Sequence, residues 1–305
     1  MKQKYDYAVE KCDIPSARYG LLREYRNFRD DITERINGDD ATSIKNQILD
    51  LTWNTAVFRM LNEARFLEKE RAVSSTMWEL IVAGYASMMI LGIRRLLDTN
   101  RRSNSLISTI LKIKDYPHFH TRELYVCHDG LPFDWLSLQT NAMKTMRPGL
   151  QWLPTKGPTA YAGSELAHLS FNKFCSEPAT GKRGEKFSID LLDELTSQLN
   201  TPGLRAIHIL ADQRYAHMDR HSAKTDSIPN VTYNDIDSAL ENLVRIGNRL
   251  SLLFLNQHVF GSAVATPQFN PVEHLDQAWI TPSTAPLMEK YWDEISTKMN
   301  LWAYD

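Results

Sequence analysis

The sequence predicts a mainly α-helical bundle with a largely irregular insertion between its core helices. Three observations predict it. Apolar residues recur at steps of three and four through most of the 305 residues, residues that cap helices stand where those periods begin and end, and no stretch shows the period-two alternation bounded by turns that marks a hairpin.

From Ile14 to Ile36, Leu21, Tyr25, Phe28, Ile32 and Ile36 share one helical face, with Pro15 near the start and Gly38 just beyond the end. A second helix follows the turn at Asp39 to Ser43, carrying Ile44, Ile48, Leu51, Phe58 and Leu61 and leaving through the charged run Glu63 to Arg71. The third runs from near Ser75 to Asp98. It is apolar nearly all round, the pattern of a central helix covered on most sides. Ser105 caps a short helix through Ile113. From Tyr116 to Lys186 the prolines multiply, and this stretch reads as an insertion, helical near Phe133 to Met146 and otherwise irregular. Helical pattern returns at Ser188, with Leu191, Leu192, Leu195 and Leu199. Thr201-Pro202-Gly203 restarts a helix, threonine at the N-cap and proline in the first turn, which runs to His217. Thr232-Tyr233-Asn234-Asp235 has the form of a capping box. It opens the cleanest period in the chain, Ile236, Leu240, Leu243, Gly247, Leu250 and Phe254. A last helix near Leu287 to Met299 carries Trp292, with Trp302 beyond it. The expected organisation is an N-terminal helical hairpin over 1–72, a bundle over 73–258 with the insertion at about 116–187, and a tail with one helix over 259–305.

A hydrophobic share of 43% and a charged share of 24% are those of a soluble globular chain. A net charge of −2 excludes a protein that coats nucleic acid by bulk charge, while leaving room for a local basic groove. The first residues have no apolar core of a signal peptide. The longest apolar run, Leu80 to Ile93, is shorter than the roughly 20 residues of a membrane span. Cys12, Cys127 and Cys175 are few and scattered, which suits a reducing compartment. The expectation is a cytoplasmic protein without a membrane partner.

Two segments put chargeable groups at the edge of apolar helices: Ile93-Arg94-Arg95-Leu96-Leu97-Asp98 and Ala211-Asp212-Gln213-Arg214-Tyr215-Ala216-His217-Met218-Asp219. Asp98 is placed to pair with Arg94 and Arg95 along the helix. A helix so apolar, however, brings at least one arginine toward the interior, where it needs a carboxylate from another helix, and Asp212 is the candidate. His217, at a helix end with Asp219 near, suits proton transfer near neutral pH. Alone it is equally a histidine favoured by the helix dipole. His217 and His221 have a metal-compatible spacing but no third ligand, and His118, His120, Cys127 and His128 lack a repeated ligand frame. No phosphate-binding glycine loop or nucleophile elbow is present. No cofactor and no metal are expected.

Taken together, the helix ending in Ile-Arg-Arg-Leu-Leu-Asp, the following Ser105-Leu106 helix and the later Ala-Asp-Gln-Arg-Tyr-Ala-His-Met-Asp resemble the HEPN superfamily. The AbiU-type branch, named for abortive phage infection, is the most similar. Thr121-Arg122-Glu123-Leu124-Tyr125-Val126-Cys127-His128-Asp129-Gly130-Leu131-Pro132 also resembles a segment of that branch. The likeness covers, in pieces, the region from about Trp78 to Phe254. It implies a helical bundle that often forms homodimers and, in many members, a metal-independent endoribonuclease. The family motif is an arginine and a histidine separated by four to six residues, and the RNA 2′-hydroxyl attacks its own 3′-phosphate. It further implies phage-defence or toxin–antitoxin duty with a cognate antitoxin or regulator. With His217 as the histidine, the arginine positions are held by Leu210, Ala211 and Asp212. Ala211 thus replaces the usual arginine, ahead of the polar Asp212. Either Arg94, Arg95 or Arg214 supplies the cation from another direction, or the chain is a non-catalytic module. In that case the same residues form a structural polar network and the chain binds RNA or a protein. The candidate site residues are therefore His217, Asp212, Arg214, Arg94 and Arg95.

Overall fold

The computed structural model describes residues 5–67, 75–145, 154–175, 179–216, 229–256, 258–264, 266–271, 273, 277 and 282–302. Their contacts fall into two units, Met1–Ala265 and Thr266–Asp305. Among the described residues the chain is mainly α, with no strand; Thr121 and Lys186 meet in an isolated antiparallel bridge.

The first unit holds α1 (Tyr19–Asn37), α2 (Ile44–Leu67), α3 (Ser75–Leu96), α4 (Leu106–Lys114), α5 (Arg122–Cys127), α6 (Trp135–Thr145), α7 (Tyr161–Asn172), α8 (Ile189–Gln198), α9 (Pro202–Leu210) and α10 (Tyr233–Leu255). The cleanest period in the sequence becomes the hub: α10 packs against α1, α2, α3, α4, α7, α8 and α9. It buries Ile236, Leu240, Leu243, Leu250 and Phe254 along one face. Its capping box forms as read. Thr232 Oγ1 accepts from the Asp235 N–H at 3.2 Å and Asp235 Oδ2 accepts from the Thr232 N–H at 2.8 Å. Asn256, at φ 54°, closes the helix in the left-handed conformation that asparagine tolerates.

The expectation that α3 is covered on most sides is corrected. Met89, Ile90, Ile93 and Leu96 do enter the core, where α3 packs against α2, α9 and α10. Gly92 lets α2 come close, since a Cβ there would stand 2.5 Å from Leu51. The outer stripe stays open, with Leu80 68% exposed and Met88 and Leu91 also exposed. Taken whole, Thr76–Leu96 is long and apolar enough to cross a membrane by length and composition. Its buried inner face is that of a core helix.

The stretch from 116 to 187 is more helical than its prolines suggested, because α5 and α7 form within it. α5 is too short to show a period. α7 has one, Tyr161, Ser164, His168 and Phe171, but two of its four buried positions are polar. Charge holds this region together. Arg122 is 1% exposed and donates from Nε and Nη2 to Glu185 Oε2 at 2.8 and 2.6 Å. It also donates to Asn172 Oδ1 at 2.6 Å and the His168 carbonyl at 3.2 Å, and lies over the Phe171 ring. Glu185 also accepts the Gly181 N–H at 3.0 Å. Burial works to raise its pKa, but the Thr180 N–H and the Arg122 guanidinium outweigh that and hold it below the usual value. Beside it Glu123, equally buried, takes Arg18 and Arg183.

Ser188 caps α8 and the Ser105–Ser108 capping box opens α4. Thr201 makes no side-chain cap, so the start of α9 rests on Pro202. The second unit carries α11 (Ala285–Leu301), none of whose residues is buried.

Candidate active site

α3 and α9 pack side by side, and the chain at the end of α9 widens into one turn of π-helix, Ala211–Ala216, that also packs on α3. The helix read as continuing to His217 is therefore α only to Leu210. Single π turns are rare and recur at functional sites. This one brings Asp212 to the end of α3, where Arg94 Nε donates to Asp212 Oδ1. The inter-helix ion pair expected from the sequence thus forms, joining the two polar segments. It lies in a half-open position rather than in the interior, with Arg94 35% and Asp212 38% exposed. A pair so exposed contributes at most roughly 1 kcal/mol to stability.

The other carboxylate oxygen of Asp212 faces His208, whose Nδ1 stands 3.3 Å from Oδ2. His208 was not singled out from the sequence. Its signal was there, since it lies four residues before Asp212 on the same helical face. Asp212 therefore bridges a guanidinium from α3 and an imidazole from α9. Next to it Gln213 has its amide oxygen enclosed without a hydrogen-bond partner among the described residues. An enclosed acceptor without a partner is a cost that proteins retain mainly where function needs it.

The remaining candidates divide. Arg95 and Arg214 are exposed, and neither makes an ion pair among the described residues. The expected pairing of Asp98 with Arg94 and Arg95 does not form. α3 ends at Leu96, so Asp98 lies past the helical register. Its Oδ1 instead accepts the Asn100 N–H at 2.9 Å, and its carbonyl accepts from Ser105 Oγ at 2.5 Å. His217 and Asp219, like His221, lie outside the described residues. The cluster as described holds three arginines, one carboxylate and one half-open histidine, an excess of positive charge suited to an anion.

The histidines of the 116–187 stretch are spent on structure. His120 Nε2 meets the Ile113 carbonyl at 2.9 Å and its ring stacks on Phe187. His128 Nδ1 meets the Tyr125 carbonyl at 2.8 Å. Burial pushes the pKa of His120 down to about 4, and burial followed by the nearby Arg29 charge pushes that of His128 down to about 3. Among the described residues no three His, Cys, Asp or Glu side chains gather in a way that would hold a metal ion.

Residues 41–275 match the family model of the AbiU2-type HEPN proteins. The chain belongs to that family. The match begins at the turn before α2 and runs past α10, so it takes in more of the chain than the motif segments alone. It makes the chain an abortive-infection HEPN-like protein, and the mainly α bundle is that expected of one. Neither the curated proteins nor the solved structures yielded a match. In this HEPN protein the α3 arginine stands beside Asp212, the residue that follows the arginine position now held by Ala211.

Proposed function

We propose that this AbiU2-type protein is a metal-independent endoribonuclease of phage defence or of a toxin–antitoxin pair. In this reading Arg94 takes over the charge-stabilising duty of the arginine missing at Ala211, and His217 serves as acid/base. The observation that carries it is the Arg94–Asp212 contact. It puts a guanidinium, held by only one of its nitrogens, beside the motif segment from a neighbouring helix. The other nitrogens are left for an RNA phosphate, and Arg95 and Arg214 add positive charge near the same end. A fixed cation aimed at charge that develops on the phosphate lowers the barrier most when it is already in place.

The open apolar stripe of α3, with Leu80, Met88 and Leu91 exposed, supports a homodimer in which a second copy covers it. A cognate antitoxin or regulator and a cytoplasmic location belong to the same reading. The second reading, a non-catalytic module that binds RNA or protein, is favoured by Ala211 itself and by the modest Arg94–Asp212–His208 network, which would then be structural.

The test is incubation of the purified chain with total RNA in the presence of a chelator, with the cleaved ends mapped. Products ending in 2′,3′-cyclic phosphate are expected from the wild type and none from His217→Ala, which should stay folded, since a helix-end histidine contributes at most about 2 kcal/mol. Binding of RNA without cleavage favours the non-catalytic module.

A further inference from the structure

We propose that His208 is the second proton-transfer group of this site, the base that takes the proton from the attacking 2′-hydroxyl. The inference rests on the nuclease reading and deepens it. When the 2′-oxygen attacks the adjacent phosphorus, the new O2′–P bond forms as the P–O5′ bond breaks. One proton must leave the 2′-hydroxyl and another must arrive at O5′. Without a metal, two groups share these transfers, one accepting and one donating. His217 fills one role and leaves the other open.

The geometry selects His208 for it. Asp212 Oδ2 stands 3.3 Å from His208 Nδ1. A carboxylate there favours the tautomer with the proton on Nδ1 and leaves the Nε2 lone pair free to accept one. Nε2 has no partner among the described residues, and the side chain is 40% exposed. Asp212 Oδ1 meanwhile holds Arg94 through Nε, and both Nη groups of Arg94 are without partners among the described residues. The carboxylate thus sets a free imidazole nitrogen and a free planar fork side by side, the fork suited to phosphate oxygens. A solitary i, i+4 histidine–aspartate pair on a helix surface is common. This one differs because its carboxylate is tied to another helix. It also spans the step from α9 into the π turn, beside the enclosed oxygen of Gln213.

In the step proposed, neutral His208 takes the 2′-hydroxyl proton and becomes an imidazolium facing the Asp212 carboxylate. Arg94 receives the charge on the equatorial phosphate oxygens, and protonated His217 gives its proton to O5′. The products are a 2′,3′-cyclic phosphate and a 5′-hydroxyl, and solvent resets both histidines.

The experiment is the pH–rate profile for cleavage of an oligoribonucleotide, with chelator present, by wild type, His208→Gln and Asp212→Asn, with folding followed by circular dichroism. Glutamine keeps the contact to Asp212 but takes no proton. For His208→Gln we expect kcat to fall about 100- to 10,000-fold, with KM little changed. The rising limb at low pH, where wild type gains rate as its base deprotonates, should disappear. Asp212→Asn, whose amide does not stabilise the imidazolium, should lose rate and displace the same limb. A structural role would lower the melting temperature and leave the shape of the profile as it was. His208→Gln cleaving with the wild-type profile overturns the role of His208 while the nuclease stands. No cleavage by wild type overturns the nuclease and the role together.

Discussion

The same three residue types, arginine, histidine and carboxylate, meet in two places in this molecule. Around α5 and α7, Arg122 has Glu185, Asn172 and His168 as partners and is closed from solvent. At the junction of α3 with the π turn, Arg94 has Asp212 alone, and about a third of each side chain is open. Desolvation explains the difference. A guanidinium taken out of water must have its donors satisfied or cost several kcal/mol, so the first cluster is saturated and its charge is used up in holding the chain. The second keeps its water and its spare donors. An anionic ligand can be bound only by a charge that the fold has left available.

That comparison is broken or sharpened by four measurements. The largest effect is expected at the closed cluster. Arg122→Ala strands Glu185 in the core and should cost about 3–5 kcal/mol in denaturant unfolding. A variant as stable as wild type would show that the cluster carries no weight. Acid should act on the same region. His120 and His128 have folded-state pKa values of about 4 and about 3, against 6.5 for the model value. Below about pH 6.5 the unfolded chain therefore binds more protons than the folded one, and stability falls as pH drops toward 4. The loss should be on the order of a few kcal/mol, and equal melting temperatures at neutral and mildly acidic pH would contradict it. Ser105→Ala removes the capping box of α4 and the hydroxyl that holds the Asp98 carbonyl at the end of α3, with an expected loss of about 1 kcal/mol. The smallest change in stability, within roughly 0.5 kcal/mol, is expected for Leu80→Asp on the open stripe of α3. Light scattering should nonetheless show this variant as a monomer where wild type is a dimer, and identical masses would remove α3 from the interface.

Much of this was legible in the sequence, and the failures have physical causes. The long helices, the Ser105, Ser188 and Thr232 caps and the Arg94–Asp212 link follow from apolar period and from the cost of an unpaired charge. α7 was hidden because Ser164 and His168 occupy inward positions of its period. α5 was hidden because its six residues begin with two charges that only tertiary partners make buriable. The open face of α3 was missed because composition says how apolar a helix is, not which neighbours cover it. His208 was overlooked because attention to a helix-end histidine passed over one that gains meaning only when α3 brings Arg94 to the same carboxylate.

The most direct test of the open cluster is the rate of RNA cleavage by Arg94→Ala per folded molecule, set beside its unfolding free energy. If Arg94 is held ready for phosphate, the rate should fall on the order of 100- to 1000-fold, as for loss of one charge-stabilising donor. Stability should change by no more than about 1 kcal/mol. A variant that cleaves at the wild-type rate per folded molecule but loses several kcal/mol of stability would contradict the account, and would make Arg94 a structural arginine like Arg122.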